Sequence, residues 1–130
     1  MKALLRSKFL WTLVLVSALV AELIAIMPKP IDMDLTKIGN GKNAVVFVYD
    51  PNLVASIEQS AQIDSARELL GEQVNFLIAK AGEPDGEAFK RRFQAGSLDV
   101  LFFNRDGELV DRQFAVLSAE VLSKKLTSIR

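Results

Sequence analysis

With 130 residues the chain has room for one domain of ordinary size, and 16 basic residues balance 16 acidic ones. It holds no cysteine and no histidine, which excludes thiol chemistry, disulfide staples, c-type haem attachment and the commonest zinc ligands. Balanced charge gives no sign of a nucleic-acid partner, whose binders carry clustered positive charge.

The first element is apolar. Phe9 to Pro28, FLWTLVLVSALVAELIAIMP, holds a single formal charge, Glu22, in twenty positions. At about 1.5 Å per residue, a helix of that length covers the ~30 Å hydrocarbon core of a bilayer. Lys2, Arg6 and Lys8 precede it with no acidic residue, a bias that keeps the N-terminus cytoplasmic and sends the rest across the membrane. Trp11 fits an interfacial anchor. Residues 1–28 are therefore read as a basic cytoplasmic start and one transmembrane helix, in contact with lipid over residues 9–28. The expected setting is a bacterial inner membrane with the C-terminal part periplasmic. A cleaved secretory signal is the rival, with Val16-Ser17-Ala18 as its candidate site and Leu19-Val20-Ala21 a poorer one. The apolar run continues to Met27, however, and signal cores need only about 7–15 residues. Glu22 lies some 9 Å from the outer end of this helix, at about 1.5 Å per residue. An intramembrane carboxylate is a candidate for pairing with a partner helix; the plain alternative is that it reaches the headgroups or is protonated.

Residues 29–42 read as a linker, stiffened at its start by Pro30 and loosened at its end by Gly39 and Gly41. Its start can brace the domain that follows, 43–130. Setting aside Lys2, Arg6, Lys8, Lys29 and Glu22 leaves 12 basic and 15 acidic residues, so the exported part is mildly acidic at −3.

Ala44 to Tyr49, a continuous apolar and β-branched run, predicts a strand covered on both faces. Asp50-Pro51 signals a helix start, and Ser56 with Gln59 offers a second cap of the capping-box kind. The helix should begin between Pro51 and Ser56. Ile57, Ala61, Ala66, Leu69 and Leu70 form its apparent apolar face, with a break near Asp64 and Gly71 as its end. Gln73 to Ala81 predicts a second strand, with Val74, Phe76 and Ile78 on one face and Leu77 and Ala79 on the other. A helix between two covered strands makes a parallel unit with a right-handed crossover.

GEPDG reads as a loop leading into a short helix carrying Phe89 and Phe93, four apart. Leu98–Phe103 and Glu108–Phe114 flank NRDG, a hairpin turn with Gly107 at a positive φ. Ser118 should cap the last helix, whose Val121, Leu122, Leu126 and Ile129 form one stripe. The order is β-α-β-α-β-β-α: a four-stranded mixed sheet flanked by helices, an α/β domain behind a single transmembrane helix.

AVVFVYD, QVNFLIAKAG and LDVLFFNRDGELVDRQF carry a resemblance to the thioredoxin-like fold over roughly Asn43 to Ile129. The resemblance implies a Cys-x-x-Cys at the start of the helix after the first strand, where the helix dipole stabilises a thiolate. Those two positions fall on Leu53 and Ser56. The family's cis-proline falls on Leu98, after Ser97, and a non-proline cis bond costs about 2.5–4 kcal/mol, so a trans bond is expected there. The redox motif is lost at Leu53, Ser56 and Leu98. Ser56, with no histidine to take its proton, is a poor nucleophile and reads as a cap. An extended peptide could still pair along this edge, and Leu53, Val54, Leu98 and Asp99, together with Glu22, are the candidate partner-binding residues.

Lys90-Arg91-Arg92 reads as a solvated helix face, with docking to an acidic protein or headgroups the lesser alternative. Glu83, Asp85, Glu87, Asp106 and Glu108 sit in turns and caps, without the spacing of a calcium loop. No metal, cofactor or catalytic residue is expected. The sequence thus points to a redox-inactive, membrane-anchored binding protein: an accessory or assembly subunit of a membrane or periplasmic complex. The alternatives are a client holder in cytochrome or oxidase maturation, or a secreted binding domain.

Overall fold

A computed structural model describes residues 2–26 and 29–129 and divides the chain into two compact units between Pro30 and Ile31. The first holds helix α1 (Lys2–Ile26). Its most apolar stretch, Leu5–Ala25, has a mean hydropathy of 1.9 over 21 residues and is long and apolar enough to cross a membrane. That stretch starts earlier than the expected span and takes in Arg6 and Lys8; Met27 and Pro28 lie outside the described residues.

The second unit contains β1 (Ala44–Tyr49), α2 (Val54–Leu70), β2 (Asn75–Lys80), α3 (Pro84–Phe93), β3 (Asp99–Phe103), β4 (Leu109–Phe114) and α4 (Ala119–Ser128). The strands lie in the order β2-β1-β3-β4, with β1 parallel to β2 and both other pairs antiparallel. β1 sits inside the sheet, and Ala44 to Val48 are all fully buried, so its residues must be apolar on both sides. Val45, Phe47, Val100 and Phe102 pack with Ile63 and Ala66 of α2 and Leu122 and Leu126 of α4. On the opposite face Val46, Val48, Leu77, Leu101 and Phe103 pack with Phe89 of α3.

Several elements depart from the sequence reading. The linker ends at Pro30: Ile31 packs on the α2–α4 face, Asp32 bridges Leu77 at the outer edge of β2, and Ile78 donates its amide to the Asp32 carbonyl at 2.9 Å. A 3-10 turn at Leu35–Lys37 follows, capped by Asp34, and Leu35 and Ile38 pack on the α3 face. This segment belongs to the domain.

Helix α2 begins at Val54, inside the expected interval, but Leu53 is its N-cap and no side chain caps it. Ser56 and Gln59 lie within the helix, fully buried, and form no capping box. No break occurs at Asp64. The buried face is Ser56, Gln59, Ile63 and Ala66, whereas Ile57 and Leu69 are exposed. The true inner stripe was masked because two of its members are polar, Ser56 being satisfied by the turn just before the helix and Gln59 by Leu117, far along the chain.

Strand β2 is shorter than expected because Gly71–Gln73 forms a 3-10 turn after the Gly71 cap, at φ +59°. Pro84, Asp85 and Gly86 form the first turn of α3 rather than a loop. A Cβ at Gly86 would stand 1.9 Å from the Lys80 carbonyl oxygen, so only glycine lets α3 approach the end of β2 this closely. Asn104 organises the hairpin turn: its Oδ1 accepts from the amides of Asp106 (3.0 Å) and Glu108 (2.9 Å), with Gly107 at φ +88°. Ser118 caps α4 by accepting from the Val121 amide at 3.2 Å.

Candidate functional site

The junction between β1 and α2 lies where β3 begins, and a polar clasp fastens the two. Asp50 is not a helix cap. Its Oδ1 accepts from the Asn52 amide at 3.0 Å, closing the turn locally, and its Oδ2 accepts from the Ser97 hydroxyl at 3.1 Å. The Asp50 amide in turn donates to the Ser56 Oγ at 2.9 Å. Ser56 is thus a buried tie between the helix and the turn before it, and no solvent path leads to its hydroxyl. Nucleophilic chemistry there is closed by burial as well as by the lack of a base.

The other matched position of the motif behaves differently. Leu53 is 36% exposed, Val54 is 72% exposed, and the next turn of the helix presents Ile57 at 60%. Leu98 is half-buried against the α2–α4 core and sits at φ +73°. The Ser97–Leu98 peptide is trans; the cis bond among the described residues is Ala115–Val116. Leu98 donates its amide to the Val48 carbonyl at 3.0 Å and accepts from the Ala115 amide at 2.9 Å. Its backbone is therefore spent on the protein itself, and its side chain packs in part on the α2–α4 core. Asp99 is likewise committed: its Oδ2 accepts from the Gly96 amide at 2.9 Å and faces Arg112 at 3.6 Å. It fastens the loop before β3 and offers little to a ligand. Glu22 lies in the other unit, on α1.

Sequence reasoning missed two exposed apolar residues at the end of β4 and just after it. Phe114, 62% exposed, is the register partner of Asp99, and Val116, 43% exposed, follows Ala115. The signal was present in β4, where Phe114 falls in a strand otherwise expected to turn polar groups outward. It missed Gln59 too. That side chain donates to the Leu117 carbonyl at 2.9 Å and accepts from the Leu117 amide at 2.6 Å, mimicking a strand partner. Gln62 accepts from the Ala119 amide at 3.0 Å. Together they hold α2 to the loop that leads into α4.

The end of the sheet thus presents aliphatic and aromatic groups around a satisfied polar clasp. Among the described residues no group of three or more Asp or Glu side chains is placed to hold a metal ion. The arrangement can bind apolar groups, and its hydroxyl and carboxylate, Ser56 and Asp50, are engaged in the clasp.

No protein-family model matches the sequence, and no curated protein matches it. Solved structures do. A thioredoxin-like protein from Clostridium perfringens superposes with a TM-score of 0.68 at 11% identity, over 76% of this chain and 79% of that one. Thioredoxin-2 of the malaria parasite, described as a component of protein secretion machinery, gives 0.60 at 17% identity, over 66% and 82%. The exposed lipoprotein thioredoxin of Streptococcus pneumoniae gives 0.60 at 12% identity, over 70% and 87%. Residues 31–129, with their four-stranded mixed sheet and flanking helices, have a thioredoxin-like fold.

Proposed function

We propose that the protein is a binding module without redox chemistry, held at a bacterial inner membrane by α1 with its domain in the periplasm. It serves as an accessory or assembly subunit of a membrane complex, or as a scaffold for an exported protein. One observation carries the reading: where the fold's oxidoreductases place reactive sulfur, this chain has an exposed pair of aliphatic side chains, Leu53 and Val54, and a sealed hydroxyl, Ser56. With no thiol anywhere in the chain, disulfide exchange has no nucleophile. Attachment to the same bilayer raises the effective concentration of a membrane neighbour, so a modest apolar contact through Leu53, Val54 and Leu98 suffices.

The test uses the full chain extracted in mild detergent. Its disulfide-reduction activity should be blank, and affinity purification should retain stoichiometric partners. Leu53→Asp with Val54→Asp, both at exposed positions, should keep the circular dichroism of the domain and lose those partners. Glu22→Leu, scored the same way, reads the contribution of α1. Turnover of a disulfide substrate, or partners held equally by the doubly substituted chain, would overturn the reading.

A further inference from the structure

We propose that the α3 face of the domain carries a docking groove for a short apolar segment of a partner protein flanked by Lys or Arg. The groove lies between the 3-10 turn at Leu35–Lys37, helix α3 and the β3–β4 turn, and encloses about 510 Å³. That is within the range of about 300–1,000 Å³ that small-molecule sites occupy, and ample for two or three side chains.

Its wall and floor are apolar: Leu35 and Ile38 from the segment before β1, Phe89 and Phe93 from α3. Its rim is acidic. Asp34, Asp85 and Asp106, one from each of the three segments, all line it and all are exposed. Among the described residues the ion pairs of the domain engage Asp32, Asp64, Glu87, Asp99 and Asp111, and none of these three. Each rim carboxylate has a local use or setting, Asp34 as a turn cap and Asp85 in the first turn of α3. Asp34 also feels the Lys37 ammonium, whose ion pair is with Asp32. Arg92 is the one cation lining the groove, and its guanidinium lies over the Phe93 ring at 5.1 Å, extending the apolar surface.

Two features select the occupant. Three carboxylates outside any ion pair, set around an apolar floor with Arg92 as the cation among the lining residues, attract cations and repel anions, which disfavours phosphorylated or acidic segments and anionic lipid headgroups. The walls are also preorganised. The Gly41 amide donates to the Arg105 carbonyl at 3.1 Å, and Gly39 lies so close to Gly107 that a Cβ would come within 3.1 Å of the Asp106 carbonyl oxygen. A groove fixed in this way gives up little entropy when filled. This surface goes beyond the α2 junction of the proposed function and is separate from it, so either can fail alone.

The experiment is a selection of random twelve-residue peptides on the full chain in detergent, counter-selected on the Asp34→Asn, Asp85→Asn, Asp106→Asn variant. Asparagine keeps the oxygen with which Asp34 caps its turn, so the variant should fold, as circular dichroism checks. The enriched peptides should share two apolar residues with a neighbouring Lys or Arg. One of them, synthesised with a fluorescent label, should bind the triple variant about tenfold more weakly, as expected for three partly exposed charge contacts. The groove-filling Ala88→Trp should weaken it to a similar degree, while Leu53→Asp should leave it unchanged. Acidic or purely apolar consensus peptides, binding indifferent to Ala88→Trp, or no enrichment would overturn the proposal. So would sedimentation showing that the groove joins two copies of this chain, lost on Ala88→Trp.

Discussion

The two faces of the sheet share one set of strands and differ in what covers them. On one side α2 and α4 close over Phe47 and Phe102, and Gln59 and Gln62 bind the loop between β4 and α4. On the other, α3 covers only part of Leu101 and Phe103, and a three-residue turn with Leu35 and Ile38 completes the layer. The strand residues themselves are equally buried on both sides. What differs is the outer layer: α2 is joined to the loop before α4 by Gln59 and Gln62, whereas α3 is held by close backbone approach at Gly86 and by the Arg112 guanidinium on the Phe93 and Gln94 carbonyls. The face under two helices keeps a pocket of about 320 Å³ beside Phe102 and Lys125, and the face completed by a short turn keeps a larger groove.

The sharpest way to break this comparison is to truncate one phenylalanine on each side. Phe47→Ala, beneath two helices that cannot easily collapse, should cost toward the upper end of about 3–5 kcal/mol. Phe103→Ala should cost nearer 3 kcal/mol, because the cover on its side is lighter and the void opens toward the groove. Urea unfolding of the full chain in detergent, followed by far-UV circular dichroism, measures both. Equal losses would mean that the two covers are mechanically alike.

Gly86→Ala attacks the α3 cover alone. The new methyl would meet the Lys80 backbone oxygen at 1.9 Å, which no side-chain rotation relieves, so α3 must shift outward. A loss of about 3 kcal/mol is expected, at the upper end of ordinary overpacking costs, again read by urea unfolding.

How much of this was legible in the sequence follows from where polarity and burial agree. β1 stood out because Val45 to Val48 are apolar on both faces, and the hairpin because Asn104 and Gly107 are what its turn needs. The cap of α4 was equally plain at Ser118. The inner face of α2 was not, since Ser56 and Gln59 look solvent-facing until Asp50 and Leu117 are placed against them. The segment after Pro30 looked like linker because its one strand-like contact, Asp32 with Leu77, leaves no periodicity in so short a stretch. At the candidate site the loss of the reactive groups was visible in Leu53 and Ser56. Missing were the contributions of Phe114 and Val116, which depend on the pairing of β3 with β4.

Gln59→Ala probes the sealed face where its stability is polar. The substitution strands both the amide and the carbonyl of half-buried Leu117, and about 2 kcal/mol should be lost. Gln62→Ala, which frees only the Ala119 amide at a half-buried position, should cost less than about 1 kcal/mol. Amide hydrogen exchange at Leu117 and Leu122 should rise in the first variant and stay near the parent in the second. The opposite ranking would show that the loop before α4 is held by its apolar contacts alone.

The smallest effect compares the two faces through pH. Asp111, beside α4, is held below the usual carboxylate range chiefly by the Lys125 ammonium, with burial opposing and Gln113 and the Arg112 amide assisting. Asp32, in the segment that completes the other side, is lowered first by its bond from Lys37 and then by the Asp34 amide. Glu87 is lowered mainly by the Gly82 amide. A carboxylate lowered by folding adds stability above its unfolded value and loses it as pH falls through the folded one, so all three act in the acid limb, below about pH 4. Lys37 has the opposite sign: raised by Asp32, it stabilises below its ordinary 10.5 and fades as pH climbs through the raised value. These groups are well exposed, so the Asp111 pair contributes no more than about 0.2–1 kcal/mol, and both pairs weaken in salt. Asp111→Asn should flatten part of the acid limb without touching the alkaline one, whereas Asp32→Asn should flatten both, because it also removes the partner that raises Lys37. Urea midpoints taken from pH 3 to pH 11 separate the two, and an alkaline limb unchanged in Asp32→Asn would show that the segment before β1 is fastened by its backbone bridge to Leu77 and not by its ion pair.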